Sequence, residues 1–186
     1  KNTYPDDYKQ ITLIFNDIDT MPFSKNFLNY DTTMGNIKHF YGFTYTLGGI
    51  VSVKAADFEK TDGFPNLWAW GYEDNAFQKR AEARKINIDR DKFFKIYDKN
   101  IMHFHDGVSR TVNYNEYKKY AYDYKDGIST INDLEYSYDI NSGFVNVSTF
   151  NTPYKPISEK NMEHNLIKGS VPFKKKRRGG GMKMGI

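Results

Sequence analysis

Two acids that directly follow a short apolar segment are the first residues in this 186-residue sequence that could do chemistry. Asp17 and Asp19 form an Asp-x-Asp pair after residues 11–16, ITLIFN. Side chains two positions apart in an extended chain point the same way, so both carboxylates could bind one metal ion, or a metal that bridges to phosphates. A solvated turn containing two acids is the structural alternative.

A second group is the sequence MHFHD at 102–106, which holds two of the four histidines. In a strand, His103 and His105 lie on one face, at a spacing that suits a single metal ion. Two ordinary imidazoles on a surface strand are the alternative. His39 and His164 have no comparable neighbours, so we expect both at the surface.

Both tryptophans, Trp68 and Trp70, lie in residues 63–77, GFPNLWAWGYEDNAF, and are followed by Glu73 and Asp74. In a structural role, Trp68 would lie in the core, Trp70 at its rim and the two acids at a helix start. In a functional role, the segment is a mobile loop for carbohydrate. An exposed indole stacks on the C–H face of a sugar, and a carboxylate can act as general base for a sugar hydroxyl.

An α/β arrangement of short elements is predicted to position these groups. Residues 11–16 indicate a buried strand, since they are apolar, β-branched and aromatic, and acids after such a strand are a usual site in an α/β sheet. Residues 24–42 indicate a loop with a short helix. Further strands are predicted within 43–53, 92–97 and 100–105, helices within 54–64, 73–86 and 113–127, and a closing hairpin within 138–150.

The composition fits one domain with a real core, because 17% of the residues are aromatic. The apolar runs are too short to span a bilayer, and residues 1–20 contain no apolar leader segment. The sequence has no cysteine, which excludes disulfides and thiolate metal sites. Such a chain is compatible with the cytoplasm or a virion, and its location stays open.

The net charge of +4 comes from the end of the chain. We divide the sequence into a catalytic-type domain at 1–151 and an extended basic tail at 152–186. A basic tail suits acidic protein surfaces, nucleic acid or anionic membrane, so it could carry a protein partner. Six of the 27 basic residues are Lys174, Lys175, Lys176, Arg177, Arg178 and Lys183.

In order along the chain, the motifs resemble those of the β-1,4-galactosyltransferases, the inverting glycosyltransferase family 7. The likeness spans roughly residues 8–150 with the spacing preserved, and the HFHD form is most similar to the branch that galactosylates xylose on proteoglycan linkers. The matching segments are FNDIDTMP at 15–22, TYTLGGI at 44–50, TDGFPNLWAWGYEDN at 61–75, IMHFHDG at 101–107 and DGISTINDLEYSYD at 126–139.

This resemblance implies an α/β, GT-A-like fold, represented here by the C-terminal galactosyltransferase domain. Family members have about a hundred further residues before Asp-x-Asp, which form the first strands and hold uridine. Only 16 residues precede Asp17 here, so we expect much of the N-terminal nucleotide-binding half to be lacking. Such domains also occur in large DNA viruses, and the Lys-, Asn-, Tyr- and Ile-rich composition is typical of an A/T-rich genome.

The resemblance also implies a metal site for Mn²⁺. Asp19 matches the metal-binding acid and His105 the metal-binding histidine. The third ligand would be His103 in the xylose-type pattern or Met102 in the lactose type, and we favour His103. The ion would neutralise the diphosphate leaving group of a UDP-sugar.

The remaining roles follow from the same motifs. Asp74 matches the catalytic base that takes the proton of the acceptor hydroxyl. Trp70 matches the tryptophan of the loop that closes over the donor. The residues expected to bind substrate are Asp17, Gly48, Gly49, Trp70 and Glu73.

Four positions depart from the family pattern. Ala69 and Tyr72 replace glycines, and Tyr72 adds bulk beside the acids. Asn75 replaces a third acid. Thr46 stands where many members have a tyrosine, and its smaller size leaves the donor open between UDP-galactose and UDP-N-acetylgalactosamine.

The resulting prediction is a metal-dependent, inverting UDP-sugar hexosyltransferase that acts on a sugar acceptor. The alternative is a non-catalytic structural or interaction protein, for example one associated with a virion, that is built on the same domain. A sugar-binding module without transfer would keep Trp70 and Glu73 and would tolerate the loss of Asp74.

Overall fold

The computed structural model describes residues 1, 3–104, 107–120, 126–153, 155, 160–165 and 168. Short turns of 3-10 helix lie at Tyr8–Gln10 and Ile128–Thr130. The helices are α1 (Ala55–Lys60), α2 (Glu73–Ala83) and α3 (Tyr114–Tyr120). The strands are β1 (Thr12–Asn16), β2 (Thr20–Pro22), β3 (Asn36–Gly42), β4 (Ile50–Lys54), β5 (Asn87–Asp89), β6 (Phe94–Lys95), β7 (Ile101–His103), β8 (Ser109–Val112), β9 (Asn132–Tyr138), β10 (Val145–Asn151) and β11 (Met162–Asn165).

A mixed sheet organises the domain, in the order β1-β4-β3-β5. Strands β1 and β3 both run antiparallel to β4, whereas β5 and β6 run parallel to β3. Three further pairs of strands lie apart from this sheet: β2 with β7, β8 with β11, and β9 with β10. The predicted α/β class is therefore confirmed.

The main core forms where α2 packs on the sheet. Phe77 and Ala81 are fully buried, and they share one face of α2 because they are four residues apart. The ring of Phe77 contacts those of Phe64 and Phe58 at centroid distances of 4.7 and 5.5 Å. This packing fixes the start of α2 against the sheet, which matters because the predicted acids lie there. The buried cluster consists of Ile37, Leu47, Val51, Val53, Phe77, Ala81 and Ile86.

Two predictions about the sheet were wrong. Strand β1 is only half-buried: Leu13 and Phe15 pack against the core, while Ile14 is 48% exposed. The reason is that only one face of β1 packs on the core, so Ile14, which points to the other face, meets solvent. Residues 24–42 contain the central strand β3 instead of a helix. The sequence did not predict β3 because Lys38 and His39 interrupt its apolar pattern.

The other element predictions hold with shifted bounds. Helix α2 begins at Glu73 as expected, and α1 lies within 54–64. Strand β4 begins only at Ile50, because Gly49 has a φ of +80° and belongs to a turn. The hairpin of β9 and β10 is present but starts earlier, at Asn132.

Regular structure also occurs within the segment 152–186. Strand β11 pairs antiparallel with β8, with His164 opposite Arg110. The boundary at 151 stays a prediction, and the basic run near the end lies outside the described residues. No helix in the described part of the chain has the length and apolar character needed to cross a membrane.

Candidate active site

The pairing of β2 with β7 brings Asp19 to His103. Thr20 lies opposite His103 in this ladder, and the amide of Phe104 donates to the carbonyl of Asp19 at 2.6 Å. As a result, Nε2 of His103 lies 3.6 Å from Oδ2 of Asp19. Both side chains keep some exposure, 26% and 19%, so a small ion could reach them.

The other ring nitrogen of His103 is held by Tyr41. The Tyr41 hydroxyl lies 3.2 Å from Nδ1 of His103 and accepts a hydrogen bond from the amide of Tyr97 at 3.1 Å. A partner at Nδ1 fixes the ring orientation and leaves Nε2 facing Asp19, as is usual for a metal-binding histidine. Sequence patterns alone did not indicate Tyr41, since it lies in the strand that was missed.

Asp17 lies at the end of β1, where the turn begins. Its amide donates to the carbonyl of Gly49 at 2.9 Å. Desolvation of the carboxyl group by the surrounding protein and the negative charge of Asp19 raise the pKa of Asp17 to about 6. The negative charge of Asp74 acts in the same direction. Asp17 is therefore close enough to Asp19, His103 and Asp74 for their charges to act on its carboxyl group.

Two glycines form the wall opposite those acids. A Cβ on Gly48 would lie 2.5 Å from Oδ2 of Asp74, and a Cβ on Gly49 would collide with the carbonyl oxygen of Tyr41. Gly49 also adopts the left-handed region, which glycine tolerates without a Cβ penalty. Both positions thus need glycine because other groups approach their backbone closely.

Glu73 and Asp74 occupy the first turn of α2. Burial raises the pKa of both carboxyl groups, and for Glu73 the adjacent Asp74 and the charge of Asp17 bring it to about 7. The amide of Asn75, which donates to Oδ1 of Asp74 at 2.7 Å, and the Thr46 hydroxyl act in the opposite direction. A carboxyl group whose pKa is raised in this way is a stronger proton acceptor than an ordinary aspartate.

Tyr72 precedes the acids in an unusual conformation. Its φ is +83°, in the left-handed region, and its ring is buried against Ala76 and Leu67. Lys79 donates to its hydroxyl. This explains the glycine that the resemblance places here, since glycine adopts the same φ at no steric cost. The extra bulk expected from Tyr72 turns inward to a small apolar cluster.

The segment at residues 66–70, which carries both tryptophans and is here called the aromatic segment, is anchored through its backbone. Glu116, which is 2% exposed, accepts hydrogen bonds from the amides of Trp68 and Ala69. The amide of Trp70 donates to the carbonyl of Thr111 at 2.9 Å. Asp126 accepts from the amide and the side chain of Asn66 at 2.8 Å each.

The two indoles themselves lie at the surface. Trp68 is 51% exposed and stacks on Phe150, so the structural alternative, which put it in the core, was wrong. Glu116 holds the backbone of Trp68 rather than its ring, and the ring lies at the surface against Phe150. Trp70 is 41% exposed, with the Arg110 guanidinium 5.9 Å from its ring centroid. An exposed indole at this position is what the carbohydrate-binding interpretation requires.

His39 was also misplaced at the surface. It is 1% exposed on β3, and burial together with the charge of Arg90 lowers its pKa to about 4. His164 is half-buried on β11. A single histidine in a polar stretch gives no sequence signal for burial, so these errors follow from missing β3 and β11.

The predicted metal ligands are only partly assembled in the described residues. Asp19 and His103 form a pair, while His105 lies outside the part of the chain that the structure describes. Within that part, no group of three or more His, Cys, Asp or Glu side chains is arranged to hold a metal. Met102 alternates with His103 in β7 and so projects to the opposite face, which favours the histidine.

Comparison with known proteins shows which family this chain resembles. Residues 30–106 match the family model described as the N-terminal domain of galactosyltransferase. β-1,4-Galactosyltransferase 5 of Mus musculus is 25% identical over 155 residues, which cover 78% of this chain and 38% of that protein. Xylosylprotein 4-β-galactosyltransferase of Caenorhabditis elegans is 28% identical over 142 residues, 68% of this chain and 49% of that protein. The chain is thus similar to the β-1,4-galactosyltransferases, as its motifs predicted. It spans less than half the length of these two relatives.

Solved structures of family members confirm the GT-A-like fold. The catalytic domain of Drosophila β1,4-galactosyltransferase 7 in complex with xylobiose superimposes with a TM-score of 0.55 at 17% identity, covering 77% of this chain and 68% of that domain. A mutant of the same Drosophila enzyme, in complex with manganese, UDP-Gal and xylobiose, gives a TM-score of 0.53 at 15% identity. At such identities the likeness concerns the fold.

Proposed function

We propose that this chain binds a UDP-sugar together with Mn²⁺ and transfers the sugar to a carbohydrate acceptor with inversion. The observation that carries the proposal is the convergence of five polar side chains from the ends of separate elements. The charges of Asp19, Asp74 and His103 all act on Asp17. The set consists of Asp17, Asp19, Glu73, Asp74 and His103.

The residues present fit a divalent ion. A carboxylate oxygen and an imidazole nitrogen 3.6 Å apart can bind one ion, and Tyr41 supports the imidazole from behind. Asp19 and His103 would hold the ion, with His105 as the expected further ligand. When bound, Mn²⁺ would supply charge neutralisation for the diphosphate. The Drosophila relative that was solved with manganese and UDP-Gal supports this assignment.

Asp74 would act as the base in a single displacement. The acceptor oxygen forms a bond to the anomeric carbon while the bond from that carbon to the UDP oxygen breaks. Asp74 takes the hydroxyl proton of the acceptor, and UDP leaves with the electron pair of the broken bond. The Asp74 carboxyl group is held in place to receive the proton, because Oδ1 accepts from the amide of Asn75 and Oδ2 faces Gly48.

Glu73 and Trp70 would hold the sugars. A carboxyl group with a pKa of about 7 can both donate and accept hydrogen bonds near neutral pH, which suits sugar hydroxyls. The exposed indole of Trp70 offers an apolar face for the sugar ring. Thr46 is buried and its hydroxyl accepts from the amide of Gly48, so its small side chain leaves room for galactose or N-acetylgalactosamine as donor.

Calorimetry with UDP-galactose and UDP-N-acetylgalactosamine, with and without Mn²⁺, tests the proposal. We expect binding that requires Mn²⁺ and is lost in Asp19→Ala. Asp74→Asn should bind the donor like the unchanged chain but reduce transfer to xylose or xylobiose by at least 10²-fold. Asp133→Asn, a change on the exposed strand β9, is the matched control. A folded chain that binds neither metal nor UDP-sugar would contradict the proposal. It would favour the alternative of a non-catalytic structural or interaction protein.

A further inference from the structure

We infer that His39 and Arg90 are positioning residues that hold the loop at residues 43–49, here called the glycine loop, against Asp74. This inference deepens the proposed function and depends on it only for its kinetic readout. Neither side chain belongs to the set of five polar residues at the site. Both lie behind the glycine loop, whose front forms the wall of the site.

His39 holds the loop through one nitrogen. Nε2 of His39 lies 2.9 Å from the carbonyl oxygens of both Tyr41 and Gly48. Carbonyl oxygens only accept, so Nε2 must carry the proton and donate to them. Gly48 is thereby tied to strand β3 by a side chain that is itself almost completely buried.

Arg90 fixes the tautomer of His39 and the rear of the loop. Its Nε–H donates to Nδ1 of His39 at 3.0 Å, so Nδ1 must be unprotonated. Its Nη2 donates to the carbonyl of Thr46 at 3.3 Å and to Oε1 of Gln78 at 3.0 Å. One guanidinium thus connects β3, the glycine loop and α2, the helix that begins with the acids.

The front of the same loop touches Asp74. The Thr46 hydroxyl hydrogen-bonds the Asp74 carboxyl group, and Oδ2 of Asp74 lies against Gly48. The amide of Leu47 donates to the backbone carbonyl of Asp74 at 3.3 Å. Any shift of Gly48 away from His39 would therefore change the distance between the wall and the base. A misplacement of about 1 Å in such a site can cost about 10²-fold in rate.

Side-chain chemistry supplies a matched set of variants. In His39→Gln the amide NH₂ stands near the place of Nε2 and can donate to Gly48. In His39→Asn the amide stands near the place of Nδ1 and cannot reach Gly48. His39→Ala removes both contacts. His164→Ala, on β11 outside the main sheet, controls for the loss of a histidine elsewhere in the chain.

The experiment measures the loop and the reaction separately. By NMR on the full chain without ligands, we expect the Gly48 amide and Asp74 carboxyl resonances to move in His39→Ala and His39→Asn, and to return in His39→Gln. In transfer assays, kcat should fall by about 10²-fold in His39→Ala and His39→Asn, and His39→Gln should recover at least tenfold of this loss. Donor affinity should change less than about threefold in all three variants.

Outcomes of these two arms are distinguishable. If the unchanged chain shows no transfer, the proposed function fails, while the NMR arm still decides whether His39 positions the loop. Resonances of Gly48 and Asp74 that stay in place in His39→Ala, or that move alike in His39→Gln and His39→Asn, would overturn the inference. Equal movement in His164→Ala would overturn it as well.

Discussion

At the scale of single residues, the acids of the site oppose folding. Glu73 has its pKa raised from an ordinary 4.5 to about 7, mainly by burial and by Asp74. Below pH 4.5 the folded and unfolded chains both keep this proton. As the pH rises to 7, the unfolded chain releases the proton first, so the folded state loses stability over this interval.

Glu73→Gln should therefore stabilise the chain at high pH. We expect the variant to have a free energy of unfolding about 1–3 kcal/mol higher at pH 8 and almost unchanged at pH 4. Urea denaturation at a series of pH values measures this difference. Glu135→Gln, at an exposed position on β9, should show no such dependence. A Glu73→Gln difference that is constant from pH 4 to 8 would refute the assignment of the raised pKa.

Motifs indicated the acids of the candidate site, whose roles stay predictions, but not the residues that hold them in place. Asp17, Asp19, Glu73 and Asp74 could be found because acids at fixed spacings are visible in a sequence. Tyr41 could not, because its role depends on β3 lying beside β7 in space. The inward turn of Tyr72 depends on a positive φ, which nothing in the sequence around a tyrosine indicates.

At the scale of elements, α3 holds the aromatic segment that carries both tryptophans. The Glu116 carboxylate accepts from two backbone amides of that segment, while Oδ1 of Asn113 accepts from the amide of Glu116 itself. A buried amide without an acceptor costs about 1–3 kcal/mol. The segment therefore depends on a side chain about fifty positions away in the sequence.

Glu116→Ala should loosen the aromatic segment. We expect a loss of about 2–4 kcal/mol in unfolding free energy, since two amides lose their acceptor. A weaker near-UV circular dichroism signal from tryptophan should accompany it. Asn115→Ala, at an exposed position of the same helix, is the matched control. A Glu116→Ala chain with an unchanged tryptophan spectrum would show that Glu116 does not hold this segment.

Helices were easier to predict than strands at this scale. Helix α2 has a clear start at Glu73 and Asp74, and its buried residues repeat at helical spacing. Strand β3 has Asn36, Lys38 and His39 among its apolar residues, so no period of two is visible. Its burial comes from neighbours on both sides of the strand, which only the folded chain supplies.

At the scale of the whole molecule, the segment after residue 151 has two separate effects, one on the packing beside the site and one on the net charge. Strand β11 pairs with β8, whose Thr111 carbonyl accepts from Trp70. Asn161 also accepts from the side chain of Asn113 at 2.7 Å. The basic residues at 174–183 instead set the charge: without them, 21 basic residues face 23 acidic ones.

Two shortened chains separate these contributions. A chain that ends at Asn151 lacks β11 and should lose about 2 kcal/mol, which lowers Tm by roughly 4–8 °C. A chain that ends at Lys168 keeps β11 and every contact described for the domain, so its Tm should match that of the full chain. Its net charge becomes −2, and it should no longer be retained on a cation-exchange column at pH 7. Equal melting of both shortened chains would mean that β11 does not support β8, and that β8 holds the amide of Trp70 without help from β11.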